Sequence, residues 1–307
     1  MSDSQKVTLP NFIIIGAAKS GTSALFRYLR QHPDVYMSPV KEPYYFAFMG
    51  RQPDTRGPGD VVNDSVIHFA DYVALFDGVT TETAIGEASP SYMYIPETAE
   101  RIHDQLPDAK LIAILRQPAE RAFSAYMHVV RDERETIMDF RKALAAEPQR
   151  IADNWGPIWH YKQTGYYYDQ LARYYELFAR DQIQVLLYDD FKRDSLSTVQ
   201  SVFRFLAVDD TFEPDVSVKP NVSGLPKSNV VKQVQTSLFN RPNPIRWASR
   251  RVVPEHLRWR LTDTLRNRNL VRPALPADIR QELTQQFRED ILRTQDLIDI
   301  DLSHWLV

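Results

Sequence analysis

Phe12-Ile-Ile-Ile-Gly-Ala-Ala-Lys-Ser-Gly-Thr-Ser-Ala-Leu-Phe-Arg-Tyr-Leu29 reads as strand, tight loop and helix. Phe12 to Ile15 is a short apolar run rich in β-branched residues, which predicts a strand buried on both faces. Gly16 to Gly21 is a loop of small residues that holds one lysine, Lys19. From Thr22 onward Leu25, Tyr28 and Leu29 fall at helical spacing, and Pro33 ends the pattern. Such a loop points backbone N–H groups and a helix N-terminus at one place, and that place attracts a phosphate-like anion. Many strand-loop-helix units bind nothing. Small residues around a single cation favour phosphate.

Spacing separates two kinds of phosphate loop. A nucleotide-hydrolysing or kinase loop reads GxxxxGK[ST], with lysine directly after the second glycine. Here Gly16 and Gly21 keep the frame, but Thr22 occupies the lysine position and Lys19 lies inside the loop. A second stretch, Lys110-Leu-Ile-Ala-Ile-Leu-Arg-Gln-Pro118, reads as another buried strand followed by a helix with Pro118 in its first turn. On that helix Ala122, Phe123, Tyr126, Met127 and Val130 form an apolar stripe. Ser124 is expected off it, near a polar face of Arg121 and His128. A Mg²⁺-nucleotide enzyme would end such a strand in aspartate to hold the metal. This strand ends in Arg116, which suits a second phosphate.

These residues together resemble the sulfotransferases that use 3′-phosphoadenosine 5′-phosphosulfate (PAPS), in particular the bacterial and heparan sulfate sulfotransferase-like members. Lys19-Ser20-Gly21-Thr22-Ser23 fits their Lys-x-Gly-Thr-[Ser/Thr] loop for the 5′-phosphosulfate. Arg116 and Ser124 fit their 3′-phosphate motif, Arg-x-Pro followed by Arg-x-x-Ser. Lys41-Glu42-Pro43 with aromatics behind it matches the segment whose glutamate is the catalytic base in those enzymes, so the resemblance makes Glu42 the base candidate. Pro43 disfavours helix at Glu42 and predicts an extended segment there; taken alone, it is a surface Lys–Glu pair. Glu87 to Tyr92 fits a Glu-x-Ser-Pro-x-Tyr element, which reads equally well as a buried strand end with a proline turn. Lys227, in a basic loop, corresponds to a cation that closes over the 3′-phosphate, and Asp301 to Trp305 fits a terminal Asp-Leu-x-x-Trp.

Strands alternating with helices predict a three-layer α/β/α fold with a mostly parallel sheet covered on both faces. The resemblance implies the phosphate-loop (P-loop NTPase-like) sulfotransferase fold as one domain over residues 1–307. Residues 1–9 are expected to be disordered, and 210–307 to be a C-terminal loop and helical part. It also implies PAPS as the sulfuryl donor, adenosine 3′,5′-bisphosphate (PAP) as its product, and Lys19 and Glu42 as catalytic residues. No metal is required, because sulfate carries less charge than phosphate.

Composition narrows the partners. Apolar residues make 43% and charged residues 25% of 307, as in an ordinary globular protein. A net charge of −3 argues against general nucleic-acid binding. There are no cysteines, which excludes thiol catalysis and fits a reducing compartment. The N-terminal residues lack the apolar core of a signal peptide and no stretch is long and apolar enough to span a membrane, so a cytoplasmic location is expected. Nine arginines between Arg241 and Arg272, against Glu255 and Asp263, read as a solvated helical face or as contact with an anionic substrate or membrane surface. The aromatics Trp155, Trp159, His160 and Tyr161 read as core before they read as a sugar platform. The acceptor, whether glycan or other small molecule, is not legible. A P-loop small-molecule kinase and a non-catalytic nucleotide-binding or membrane-associated protein are the alternatives.

Overall fold

A computed structural model describes residues 7–59, 65–217, 225–226, 270–271 and 273–307. Its centre is a five-stranded, wholly parallel sheet in the order β2-β3-β1-β4-β5. The strands are β1 (Phe12–Gly16), β2 (Val35–Met37), β3 (Ala84–Ala88), β4 (Lys110–Leu115) and β5 (Ile183–Leu187). As the β-branched runs require, every residue of β1 is buried, and β4 is buried from Leu111 onward. Alternation then sorts side chains to two faces. Phe12, Ile14, Ile112 and Ile114 pack with α1 (Thr22–Leu29) and α10 (Ser195–Leu206). Ile13, Ile15, Leu111, Ala113 and Leu115 face a larger core. That core includes side chains of α4 (Thr98–Gln105), α5 (Pro118–Arg131), α8 (Tyr168–Leu177) and α11 (Ala277–Ile298). The result is the expected three-layer α/β/α arrangement.

Smaller helices fill the connections: α2 (Tyr45–Phe48), α3 (Phe69–Ala74), α6 (Phe140–Ala145), α7 (Glu147–Ala152) and α9 (Tyr188–Arg193). Helix α11 carries Ile279, Leu283, Phe287 and Ile291 on one side, all buried, and packs on α5 and α8. Each such side chain contributes roughly 1.5–3 kcal/mol on burial, so this stripe ties the far end of the chain to the main core. Two-residue strands β6 (Leu225–Pro226) and β7 (Leu270–Val271) pair antiparallel, and β6 lies against α5.

The connection from β1 leads to a helix on one face, and that from β4 to a helix on the other. The β1–β4 boundary is therefore a switch point, the place where open α/β sheets leave a crevice at the carboxyl ends of their strands. Lys19 and Arg116 flank it.

Three expectations need correcting. Neither Arg121 nor Ser124 is on a polar face: they are 2% and 6% exposed, and the Arg121 guanidinium donates to the Tyr161 carbonyl. α5 is buried on most of its circumference because α6, α11 and the segment 157–165 pack around it besides the sheet, so its apolar stripe understates its burial. Glu42 is not extended: its φ is +64°, and its N–H donates to Ala88 O at 2.9 Å. Pro43 does exclude the right-handed helix there, but the chain must turn after β2, and it does so through the left-handed region. The aromatic cluster is core, as the sequence suggests, with Trp159 and Tyr161 fully buried.

Candidate active site

The loop after β1 folds back on itself with few internal bonds. Ala17 N–H donates to Ile114 O at 2.9 Å, and Ser20 N–H to Ala17 O at 3.2 Å. The N–H groups of Lys19, Gly21, Thr22 and Ser23 have no backbone partner among the described residues. Ser20 Oγ is buried and makes no hydrogen bond of normal geometry, although the Tyr167 hydroxyl lies beside it. Gly21, at φ +100°, is the N-cap of α1, and a Cβ there would stand 3.2–3.3 Å from the rings of Tyr188 and Phe191. Unpartnered donors at a helix start, a bare glycine and an orphaned hydroxyl form a cradle for an anion. Charge agrees. Burial and then the Arg131 guanidinium push the Lys19 ammonium down to about 7, against the pull of Glu42 and Asp132.

Arg116 closes the other side of the crevice. Its guanidinium donates to Lys19 O at 3.5 Å and to Glu120 at 3.4 Å, and it lies 4.8 Å from the centre of the Tyr188 ring. Both bonds are long, which leaves most of its five N–H donors available. The backbone around it is held firmly. Tyr167 Oη donates to Arg116 O at 2.8 Å, and Gln117 caps α5 by accepting from Glu120 N–H at 2.8 Å. The Gln117 amide in turn donates to Thr284 and to Trp305 O, and Trp305 Nε1 donates to Asp189 at 3.2 Å. The C-terminal motif thus acts by bracing the strand end that carries Arg116.

On the turn after β2, Glu42 accepts from the Lys41 ammonium and from the Tyr44 hydroxyl. Burial pushes its carboxyl up, but Lys41, Tyr44 and Lys19 together outweigh burial and hold it below the ordinary glutamate value. It is therefore ionised at neutral pH, beside the lysine of the phosphate loop.

The last turn of α5 belongs to the same place, which the sequence gave no reason to expect. His128 is pushed down to about 3 by burial, by Lys19 and by Arg131. As a neutral ring it accepts at Nδ1 from Arg131, 2.7 Å away, and its Nε2 faces Asp132 at 3.6 Å. The missing signal is tertiary: only the packing of α5 beneath β1 brings Arg131 within range of Lys19.

Ser124 sits on α5, buried, two turns into the helix that starts just after Arg116. β6, which lies against the same helix, ends one residue before Lys227. Lys227 itself lies outside the described residues, as does 241–272 apart from Leu270 and Val271. The structure thus brings together Lys19 to Ser23, Arg116 and Glu42.

Comparison with known proteins bears on the family and the fold. A model of the sulfotransferase family matches residues 10–213. The fold resembles the crystal structure of a sulfotransferase from Alicyclobacillus acidocaldarius, with a TM-score of 0.76 and 38% identity. That match covers 97% of this chain and 99% of the other. The membrane-associated sulfotransferase kil1 of Dictyostelium discoideum is 36% identical over 118 residues, 38% of this chain. The human bifunctional heparan sulfate N-deacetylase/N-sulfotransferase 3 is 27% identical over 205 residues, 65% of this chain. The matched region spans 22% of the length of each of these two curated relatives. Among the described residues, no helix is long and apolar enough to cross a membrane.

Proposed function

The chain belongs to the sulfotransferase family, enzymes that move a sulfuryl group from PAPS, and we propose that Lys19 and Glu42 divide the work of that transfer. The observation that carries this reading is their meeting: the loop after β1 supplies a cation, and the turn after β2 supplies an ionised carboxylate that interacts with it. PAPS supplies the sulfuryl group and a 5′-phosphate leaving group. Lys19 and the free N–H groups of residues 21–23 bind that phosphate and neutralise the charge that grows on it as the S–O bond breaks. Ser20 Oγ adds a donor from below. Arg116 and Ser124 hold the 3′-phosphate, with Lys227 closing over it.

Glu42 takes the proton of the acceptor hydroxyl or amine as the new bond to sulfur forms. With a pKa below the ordinary glutamate value it is too weak to ionise an alcohol beforehand, so proton removal accompanies attack. Tyr44 and Lys41 orient the carboxylate, and the Lys41 side chain, paired with Glu42, is 23% exposed on the side an acceptor would approach. The acceptor is a small molecule or glycan, a class that the names of several relatives include. Freedom from cysteine suits a cytoplasmic enzyme.

The test is transfer from ³⁵S-labelled PAPS to a panel of probe acceptors: de-O-sulfated heparin, simple glycosides, p-nitrophenol and water. Labelled product and PAP should appear together, and both should vanish in the Lys19→Ala, Glu42→Gln double variant. Tight PAP binding without turnover on any acceptor would favour a non-catalytic nucleotide-binding protein.

A further inference from the structure

Glu87, at the end of β3, is fully buried with no basic partner among the described residues, and three hydroxyls converge on it. Ser89 Oγ donates to Oε2 at 2.7 Å, while Tyr72 Oη and Tyr92 Oη each donate to Oε1 at 3.0 Å. Two of these hydroxyls pass the bond onward. Ser89 Oγ accepts from the N–H of Tyr44 at 3.3 Å, and Tyr92 Oη accepts from the N–H of Phe46 at 3.2 Å. Between them, Ala88 O takes the N–H of Glu42. The segment 42–46 is thus pinned at three successive alternate residues by the end of β3.

That segment needs pinning. Glu42 and Tyr44 both lie in the left-handed region, at φ +64° and +57°, where non-glycine residues are strained by about 1–3 kcal/mol each. A carboxylate accepts only, so all three hydroxyls must donate to it, which turns their lone pairs toward the backbone. Burial pushes Glu87 up to about 7, against the three donated bonds. An alanine core would avoid that cost. Something in the fold has to justify it.

We propose that Glu87 is a positioning residue for Glu42: through Ser89 and Tyr92 it fixes the backbone that sets the base against Lys19. The proposal rests on the reading of Glu42 as the base. Three hydroxyls on one carboxylate provide an internal control, because Tyr72 donates to Glu87 without holding a backbone N–H. Tyr72→Phe removes a buried hydrogen bond of the same kind and lowers stability only.

The experiment compares Ser89→Ala, Tyr92→Phe, Tyr72→Phe and Glu42→Gln, using ³⁵S-PAPS with the acceptors named above and with water. Ser89→Ala and Tyr92→Phe should lower kcat about 10–100-fold at unchanged PAP affinity, the scale of a misplacement of about 1 Å. Tyr72→Phe should keep kcat within about threefold. Amide hydrogen exchange across residues 42–48 should accelerate in the first two variants and not in the third. In the Glu42→Gln background Ser89→Ala should cost nothing further, since its effect passes through the base. Near-normal turnover by Glu42→Gln would remove the base reading itself. An impaired Glu42→Gln, with Ser89→Ala and Tyr92→Phe no worse than Tyr72→Phe, would leave the base standing and overturn the positioning role. Should Ser89→Ala fail to fold, Tyr92→Phe, which deletes one oxygen, carries the same comparison.

Discussion

Two turns meet at this site, and they are built by opposite means. The turn after β1, residues 16–23, leaves the N–H groups of Lys19, Gly21, Thr22 and Ser23 without a backbone partner among the described residues, and the Ser20 hydroxyl without a hydrogen bond of normal geometry. The turn after β2, residues 41–46, gives the N–H groups of Glu42, Tyr44 and Phe46, and both oxygens of Glu42, to partners. The contrast fits the roles proposed for the two turns. A loop that receives an anion must hold donors in reserve, and the ligand completes its bonding. A base that must meet an incoming proton gains nothing from reserve and much from fixed direction. Both use left-handed residues, Lys19 and Gly21 in one, Glu42 and Tyr44 in the other. Only the second has a buried network to hold them.

The largest effect expected from that contrast is on turnover. Glu42→Gln keeps the shape but cannot accept a proton, so kcat should fall about 10²–10⁴-fold while PAP affinity, measured by calorimetry, stays within about twofold. Lys19→Ala should damage both, because its charge meets the phosphate before and during transfer. An affinity loss in Glu42→Gln as large as in Lys19→Ala would erase the distinction between the two turns.

The next effect lies in nucleotide choice. Arg116 reaches the Lys19 carbonyl only through a long bond, which leaves it donors for the 3′-phosphate that the proposal assigns to it. PAP should bind about 10–100-fold more tightly than AMP, from a charge-assisted contact worth roughly 1.5–3 kcal/mol. Arg116→Ala should abolish most of that preference. Equal affinity of the unaltered protein for PAP and AMP would move the 3′-phosphate elsewhere.

The smallest effect is a proton count. Lys19 at about 7 is largely neutral at pH 8 in the free protein, and a bound phosphate dianion restores its charge. Binding of PAP at pH 8 should therefore take up close to one proton, visible as a dependence of the calorimetric heat on buffer ionisation enthalpy. Affinity should weaken by less than tenfold per pH unit above pH 7. Lys19→Met should remove the uptake. Uptake unchanged in that variant would assign the proton to another group.

Much of this site was legible because its parts are local. The loop at Lys19 declares itself through small residues between a strand and a helix, and Arg116 through its place at the end of an apolar run. The resemblance added Glu42. What escaped was a matter of direction. Pro43 gave a rule against helix but not the left-handed turn that replaced it. The α5 stripe marked one buried face, whereas the segment around Tyr161, some forty residues on, buried Arg121 as well.

The sequence by itself determined the alternating α/β order, the strand interiors and the anion loop, because each depends on neighbours a few residues apart and on periods of 2 and 3.6. The tertiary structure alone decided that β3 lies between β1 and β2, so that Glu87 comes to support the turn carrying Glu42. It alone decided that the end of α5 brings Arg131 into range of Lys19. Those are choices of strand order and helix packing. Their energies come from contacts between residues far apart in the chain, which no local pattern encodes.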